Sequence, residues 1–329
     1  LLAGYSAQSF QQMSNRVNGQ NYTSDDVPYL NAATNITGGT SNSASYALLS
    51  TIGRLNYNYD SKYLLGLSIR RDGSSRFGAN ERYGTFPAIS AGWVASKEDF
   101  MSPIRSINLL KIRGSYGVTG NNNIGNYTHI QQIGASNYII NGSLVPGSTV
   151  VSLGNDFLAW EKTKQLDIGL DLELFDNKLT FTYDYYNKLS DGLIQSRPID
   201  QASGFTSIMS NVGSVKFWGH EFSLGANFQF GEVQWNSNFN MTFDRNRIEK
   251  LVSPGYFRRF NNISADYYRN QEGYPLGMFF GFINEGLIKD EADLQAAGKY
   301  DKINIGTIKI KDLNGDGVIN ENDRTFIGN

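Results

Sequence analysis

The sequence predicts an all-β fold, part of a large antiparallel up-and-down transmembrane β-barrel with long extracellular loops. Apolar residues recur at every second position over long segments, and the connections between those segments alternate short and long. The composition agrees: of 329 residues, 13% are aromatic, 35 are glycine and only 18% are charged. Aromatic side chains fit a pleated, half-buried surface and glycine supplies turn geometry, while roughly 25% charge is usual for a soluble domain.

Several classes drop out early. A net charge of −2 without a basic stripe gives no pull toward nucleic acid. The chain has no Cys, hence no disulfide framework, thiolate metal site or Cys nucleophile. No charged-then-apolar leader opens it, and no apolar run of about 18 residues occurs, so a helical membrane protein is excluded. A barrel is not, because its strands show lipid only every second residue.

Taken in order, the elements read as follows. Leu1–Gln8 is a strand fragment, followed by strands over Ala44–Tyr59 and Lys62–Asp72 across a tight Asp60–Ser61 turn. Gly73–Arg82 is a loop, Tyr83–Ser96 a strand, Lys97–Ser106 a compact connection and Ile107–Val118 a strand. After a long connection, Thr119–Ala159, the clearest strand opens at Trp160. Leu166, Ile168, Leu170, Leu172 and Leu174 alternate with Gln165, Asp167, Gly169, Asp171 and Glu173. Beyond a tight Asp176–Asn177 turn, Leu179, Phe181, Tyr183 and Tyr185 alternate with Thr180, Thr182 and Asp184. Ser190–Gly213 reads as a long loop. Phe222, Leu224, Ala226, Phe228 and Phe230 then share one face of a strand, and Val233, Trp235, Phe239, Met241 and Phe243 one face of the next. Gly231–Glu232 between them has glycine first, as a type II′ hairpin prefers. Residues 248–329 form a long extracellular loop region.

A helix would repeat its apolar positions at three and four, so these segments are strands. Several exceed the usual soluble length of about 5–6 residues and reach the roughly 9–11 that cross a bilayer obliquely. In outer-membrane barrels the periplasmic turns are short and the external loops long, which is the sorting seen here. Tyr57, Tyr59, Tyr63, Phe230 and Trp235 gather near the short turns, as an interfacial girdle or as ordinary strand preference.

Several blocks resemble the SusC/RagA family of TonB-dependent outer-membrane transporters. They are Gly53–Tyr57, Lys62–Leu65, Arg70–Gly78, Phe86–Trp93, Leu110–Gly117 leading to Thr119–Asn121, Trp160–Thr163 and Asp312–Gly317. The resemblance implies a barrel of about 22 strands with a plugged lumen, of which about nine are readable here. Residues 1–329 are thus expected to be a barrel fragment of the TonB-dependent receptor type, lacking plug and C-terminal strands. The resemblance also implies a non-enzymatic importer set in outer-membrane lipid. It would take an oligosaccharide or peptide, draw energy through TonB and pair with a SusD-like surface lipoprotein. A passive porin-like channel and a soluble secreted β-protein binding glycans are the alternatives.

Candidate chemistry is sparse, and no cofactor is required. Asp312, Asn314, Asp316, Gly317, Ile319, Asn320 and Asp323 have the spacing of an EF-hand-like or dockerin-like Ca2+ loop. Its metal candidates are Asp312, Asn314, Asp316, Asn320 and Asp323; the twelfth position is Asp rather than Glu, and a plain Asx-rich turn is the alternative. Arg70–Gly78 is either a substrate contact at the outer rim or a structural loop anchored by Asp72. His129 and His220 are the only histidines, and nothing in their spacing joins them to an acid. No Gly-x-Ser-x-Gly elbow occurs, and Gly120–Gly125 lacks the ending of a phosphate loop. Asp290–Gly298 reads as a short helix capped by Asp290. Loop aromatics Tyr138, Tyr256, Phe257, Phe260, Tyr267 and Tyr268 could stack on sugars or pack against a partner.

Overall fold

Long antiparallel strands build the protein in a computed structural model that describes residues 1–252, 256–257 and 267–328, the pair 256–257 by backbone alone. The strands are β1 (Leu2–Tyr22), β2 (Ala33–Tyr59), β3 (Tyr63–Ser74), β4 (Tyr83–Val94), β5 (Ile107–Asn121), β6 (Gln132–Ile140), β7 (Ser143–Ser152), β8 (Glu161–Leu174), β9 (Leu179–Pro198), β10 (Ser207–Phe230) and β11 (Val233–Lys250). Nine form one sheet in the order β1-β2-β3-β4-β5-β8-β9-β10-β11, an up-and-down meander interrupted only by the β6–β7 hairpin.

Register sets the two faces. One cross-strand row joins Tyr59, Tyr63, Trp93, Ile112, Leu170, Tyr183, Phe222 and Met241 through eight strands. The next row joins Asn58, Leu64, Gly92, Arg113, Gly169, Asp184, Glu221 and Thr242. Around this row the first face is an apolar band, and Leu65, Leu67, Ile89, Leu166, Ile168, Phe239 and Phe243 in it are exposed. An apolar surface of that extent is one that lipid, not water, covers.

The short turns lie together on one rim. Asp60 and Ser61 both take left-handed backbone, and Gly231 does so at the first turn position, matching the expected type II′ hairpin. Phe175, Asp176 and Asn177 turn β8 into β9. Tyr57, Tyr59, Tyr63, Trp93, Phe230 and Trp235 lie exposed along this rim, as a girdle would.

The opposite rim carries the long connections and departs from the expected boundaries in three places, one of them the β6–β7 hairpin inside 119–159. The segment 190–213 is mostly strand: β9 continues to Pro198 and β10 begins at Ser207, leaving 199–206 as the loop. Gly192, at φ 67°, and register shifts around Gly213 break the period of two there. A bulge shifts the apolar positions from one face to the other, so the alternation lapses while the pairing continues. The strand at the N-terminus also runs on to Tyr22, pairing Gln12, Met13, Ser14 and Asn15 with Ala44, Ser43, Asn42 and Ser41.

Beyond Leu251 the chain leaves the sheet. Short strands β12 (Tyr256–Phe257), β13 (Tyr268–Asn270) and β14 (Met278–Phe282) follow, then β15 (Asn284–Leu287), helix α1 (Glu291–Ala296), β16 (Ile308–Ile310) and β17 (Arg324–Gly328). Asp290 caps α1, its carboxylate accepting from the Asp293 amide, as the sequence predicts.

At the short rim, Glu98 ties the β4–β5 connection to the sheet. Its Oε1 accepts from the Tyr63 hydroxyl at 2.7 Å and from Trp93 Nε1 at 3.0 Å, and Lys62 Nζ lies 3.4 Å from Oε2. The Tyr63 hydrogen bond first, then that of Trp93 and the charge of Lys62, hold its carboxyl below the usual range despite opposing desolvation. A depressed carboxyl stabilises above its unfolded-state value and stops doing so as pH falls through its folded-state value. Acidification from neutral pH should therefore lower the amide protection factors of residues 95–106 in the full-length protein, once the chemical exchange rate at each pH is divided out. In Glu98→Gln, exchange there should no longer vary with pH beyond its chemical rate.

Candidate functional site

The inward face carries a charge bridge set in register. Arg113, Gly169 and Asp184 are direct cross-strand neighbours on β5, β8 and β9. A Cβ on Gly169 would come within 2.5 Å of Arg113 Cζ and 2.6 Å of Asp184 Oδ1. Glycine therefore leaves the gap through which the guanidinium crosses β8. Arg113 Nη1 reaches Asp184 Oδ1 at 2.7 Å, and Nε reaches Asp171 Oδ2 at 3.1 Å. Lys111 Nζ stands 3.8 Å from Asp171. Asp167 accepts from Ser115 and Gln165 on the same face.

Above this wall, segments distant in sequence meet at the long-loop rim. Phe77, Phe86, Leu158 and Trp160 form a buried cluster, with Val118, Ile124, Ile194 and Met209 packed against it. Trp160 lies 5.2 Å from the Phe77 ring and 5.4 Å, edge-on, from Phe86, and its Nε1 donates to the Arg82 carbonyl. Gly120 sits beneath Phe86, and any side chain there would overlap the ring. Glu161 accepts from Asn121 through Oε2 and from the Ile194 amide through Oε1. Wall strands and loops are thus locked into one body.

The Arg70–Gly78 block belongs to this knot. Arg70 Nε bonds Asp72 at 2.7 Å. Arg76 donates to Asn126 and to the Asn122 carbonyl, and its guanidinium lies 4.2 Å over the Tyr46 ring. His129 Nδ1 contacts the Arg76 carbonyl, whereas His220 lies on the outward face against the Tyr183 hydroxyl. The two histidines are not brought together.

In the loop at 312–323, Asp312 accepts from the Gly315 and Gly317 amides, and Asp316 from Val318. Asn314 Oδ1 accepts from the Asp316 amide, and Asn320 caps the short turn that follows. Asp323 is fully buried and accepts from the Leu313 and Asn320 amides. The Asn320 amide first, then those of Leu313 and Asn314 and the adjacent Asp312 carboxyl, hold Asp323 below the usual carboxylate range against desolvation. Among the described residues no group of three or more His, Cys, Asp or Glu side chains is gathered to hold a metal ion. Of the loop aromatics, Tyr138 and Tyr267 are exposed and Tyr268 packs on Phe279 at 4.7 Å. Phe260 and the side chains of Tyr256 and Phe257 lie outside the described residues.

A meander with one lipid-type face, one charge-bridged face and sorted rims defines the wall of an outer-membrane-type β-barrel. The model of the family described as TonB dependent receptor-like, beta-barrel matches residues 2–311, and the chain belongs to that family. It is 37% identical over 298 residues to TonB-dependent receptor P39 of Formosa agariphila, covering 89% of this chain and 28% of that protein. TonB-dependent receptor P3 of the same organism is 33% identical over 349 residues, covering 100% and 34%. SusC of Bacteroides thetaiotaomicron, also a TonB-dependent receptor, is 34% identical over 215 residues, covering 62% and 21%. Among solved structures, the RagAB peptide transporter superposes with a TM-score of 0.79 at 25% identity, covering 99% of this chain and 35% of that one. The expected SusC/RagA resemblance therefore holds. The chain spans 34% or less of the length of these curated relatives.

Removing Arg113 would leave Asp184 without its charged donor and Asp171 with Lys111 alone, at 3.8 Å. Arg113→Ala should lower stability by about 1–3 kcal/mol, the usual cost of a stranded polar partner. Gly169→Val should act in the same direction by displacing the guanidinium. Chemical unfolding of the full-length protein in detergent measures both, and a second change, Asp184→Asn, should recover part of the Arg113→Ala loss.

Proposed function

We propose that this chain is part of the barrel wall of an outer-membrane importer energised through TonB. Its cargo is a nutrient, an oligosaccharide or a peptide, and a SusD-like surface lipoprotein works with it. The observation that carries this reading is the pairing of a continuous apolar outward face with a polar inward face in one register. A soluble glycan-binding sheet has no use for the first face. The long loops, anchored by the Phe77–Trp160 cluster, form the mouth at which cargo and lipoprotein would meet. The names of the relatives agree, being those of TonB-dependent receptors and of a peptide transporter.

Tagged full-length protein, extracted from its own outer membrane in detergent, should co-purify with a stoichiometric surface lipoprotein. Uptake of its cargo by intact cells should stop when TonB is deleted. A barrel recovered alone, with uptake indifferent to TonB, would instead mark a passive channel. Recovery without detergent would contradict the barrel reading.

A second proposal concerns the loop at 312–323, which we infer takes a Ca2+ ion. The Gly315 and Gly317 amides curl the loop around Asp312, and the buried Asp323 closes it by accepting from the Leu313 and Asn320 amides. Oxygen side chains at the first, third, fifth and twelfth positions suit a hard cation. Ca2+ should raise the unfolding temperature of the full-length protein after chelator treatment, and Asp316→Ala should abolish that rise. Equal melting of both proteins with and without Ca2+ would leave 312–323 as an Asx turn.

A further inference from the structure

On the outward face the apolar band ends, toward the long-loop rim, in cations. One cross-strand row joins Lys164 on β8, Leu189 on β9, Lys216 on β10 and Arg247 on β11. The row below it joins Leu166, Asn187, Trp218 and Arg245. Below that stand Ile168, Tyr185, His220 and Phe243, and then the fully apolar rows. Side chains alternate strictly between faces, so these cations share the face of Leu166 and Ile168 rather than that of Arg113.

Part of the arrangement works against the sheet. Lys216 and Arg247 are directly opposite one another, a like-charge pairing that destabilises adjacent strands. Arg247 pairs with Glu249 at 2.7 Å, whereas Lys164, Lys216 and Arg245 form no ion pair among the described residues. Lys164 and Arg245 are exposed, and Lys216 lies over the Trp218 ring with Nζ 6.0 Å from its centre. The short rim differs: its outward residues are the uncharged rings of Tyr57, Tyr59, Trp93, Phe230 and Trp235. Cations beside an interfacial Trp, at the edge of a band immersed in lipid, stand at headgroup depth.

We propose that Lys164, Lys216, Arg245 and Arg247 form a docking surface for the phosphate of an anionic lipid headgroup in the leaflet at the long-loop rim. Lysine ammonium groups supply mobile point charges and the arginines planar forks for phosphate oxygens, while Trp218 packs at the level where headgroup meets acyl chain. The lipid neutralises the opposed charges on β10 and β11. This inference rests on the reading of the apolar face as lipid-facing.

The test uses full-length protein in a nonionic detergent, titrated with phosphatidylglycerol and, separately, with inorganic phosphate, while thermal unfolding is followed. Phosphatidylglycerol should raise the unfolding temperature of the wild type at far lower concentration than inorganic phosphate does. Each neutralised cation should weaken that effect about fivefold, so a Lys164→Gln, Lys216→Gln, Arg245→Gln triple variant should lose it almost entirely. Lys178→Gln, in a short-rim turn, should respond as the wild type does. Equal lipid response in the wild type and the triple variant would overturn the proposal. So would an equal loss in Lys178→Gln, or a response to inorganic phosphate alone. Protein that stays soluble without detergent would instead contradict the lipid-facing reading beneath it.

Discussion

Everything in this wall depends on backbone pairing. Inside a bilayer no water satisfies an amide or a carbonyl, so each strand must be paired along its length to be there at all. Pairing in turn fixes register, because side chains alternate with a period of two. In this chain a slip of one residue would exchange the row of Ile112, Leu170 and Tyr183 for that of Arg113, Gly169 and Asp184. A single Arg at the mid-depth of a lipid face costs about 2–4 kcal/mol, and the slip would also submerge its two carboxylates. Charge on one face thus enforces what apolar side chains on the other only favour.

The inward face pays attention to shape as well as charge. A bridge from β5 to β9 has to cross β8, and only a residue without a side chain leaves room for the guanidinium at the crossing point. The same device recurs at the rim, where Gly120 gives the Phe86 ring its place beside Trp160. There the packing links Phe77 and Leu158, which come from different connections, to Phe86 and Trp160 at strand ends. Loops anchored in this way hold their positions relative to the wall, a property that a binding mouth needs and that sequence-variable loops do not otherwise have.

What was legible in the sequence follows from this physics. Wherever lipid lies on one side and water on the other, alternation is forced, and Leu166–Leu174, Leu179–Tyr185 and Val233–Phe243 could be read directly. Above the band both faces meet water, so the upper parts of β1 and β2 carry Gln, Ser, Asn and Thr on each side and lose the signal. At Gly192 the period breaks though the pairing persists. The Asn141–Gly142 turn, with both residues left-handed, carried the strongest local hairpin signal in the long 119–159 connection, yet the short strands it joins were missed. The candidate sites were less legible still. Asp290 caps its helix where local spacing placed it, because a cap is a contact of three residues. Trp160 and Arg82 meet across 78 residues, and no local pattern encodes such a contact.

The charge bridge bears on how such a wall could serve transport. Arg113 and Lys111 face Asp171 and Asp184, so within the bridge two cations meet two anions, while Asp167 and Glu221 stand beside it on the same face. An uncompensated Arg at that depth would hold an anionic solute firmly, and an uncompensated Asp would hold a cation. A compensated bridge offers hydrogen bonds that a passing solute can exchange for those of water at little net gain. A transport path must bind strongly enough to admit its cargo and weakly enough to release it. Under the proposed function, a bridge of this kind would leave cargo selection to the long-loop rim, with the wall holding those loops in place.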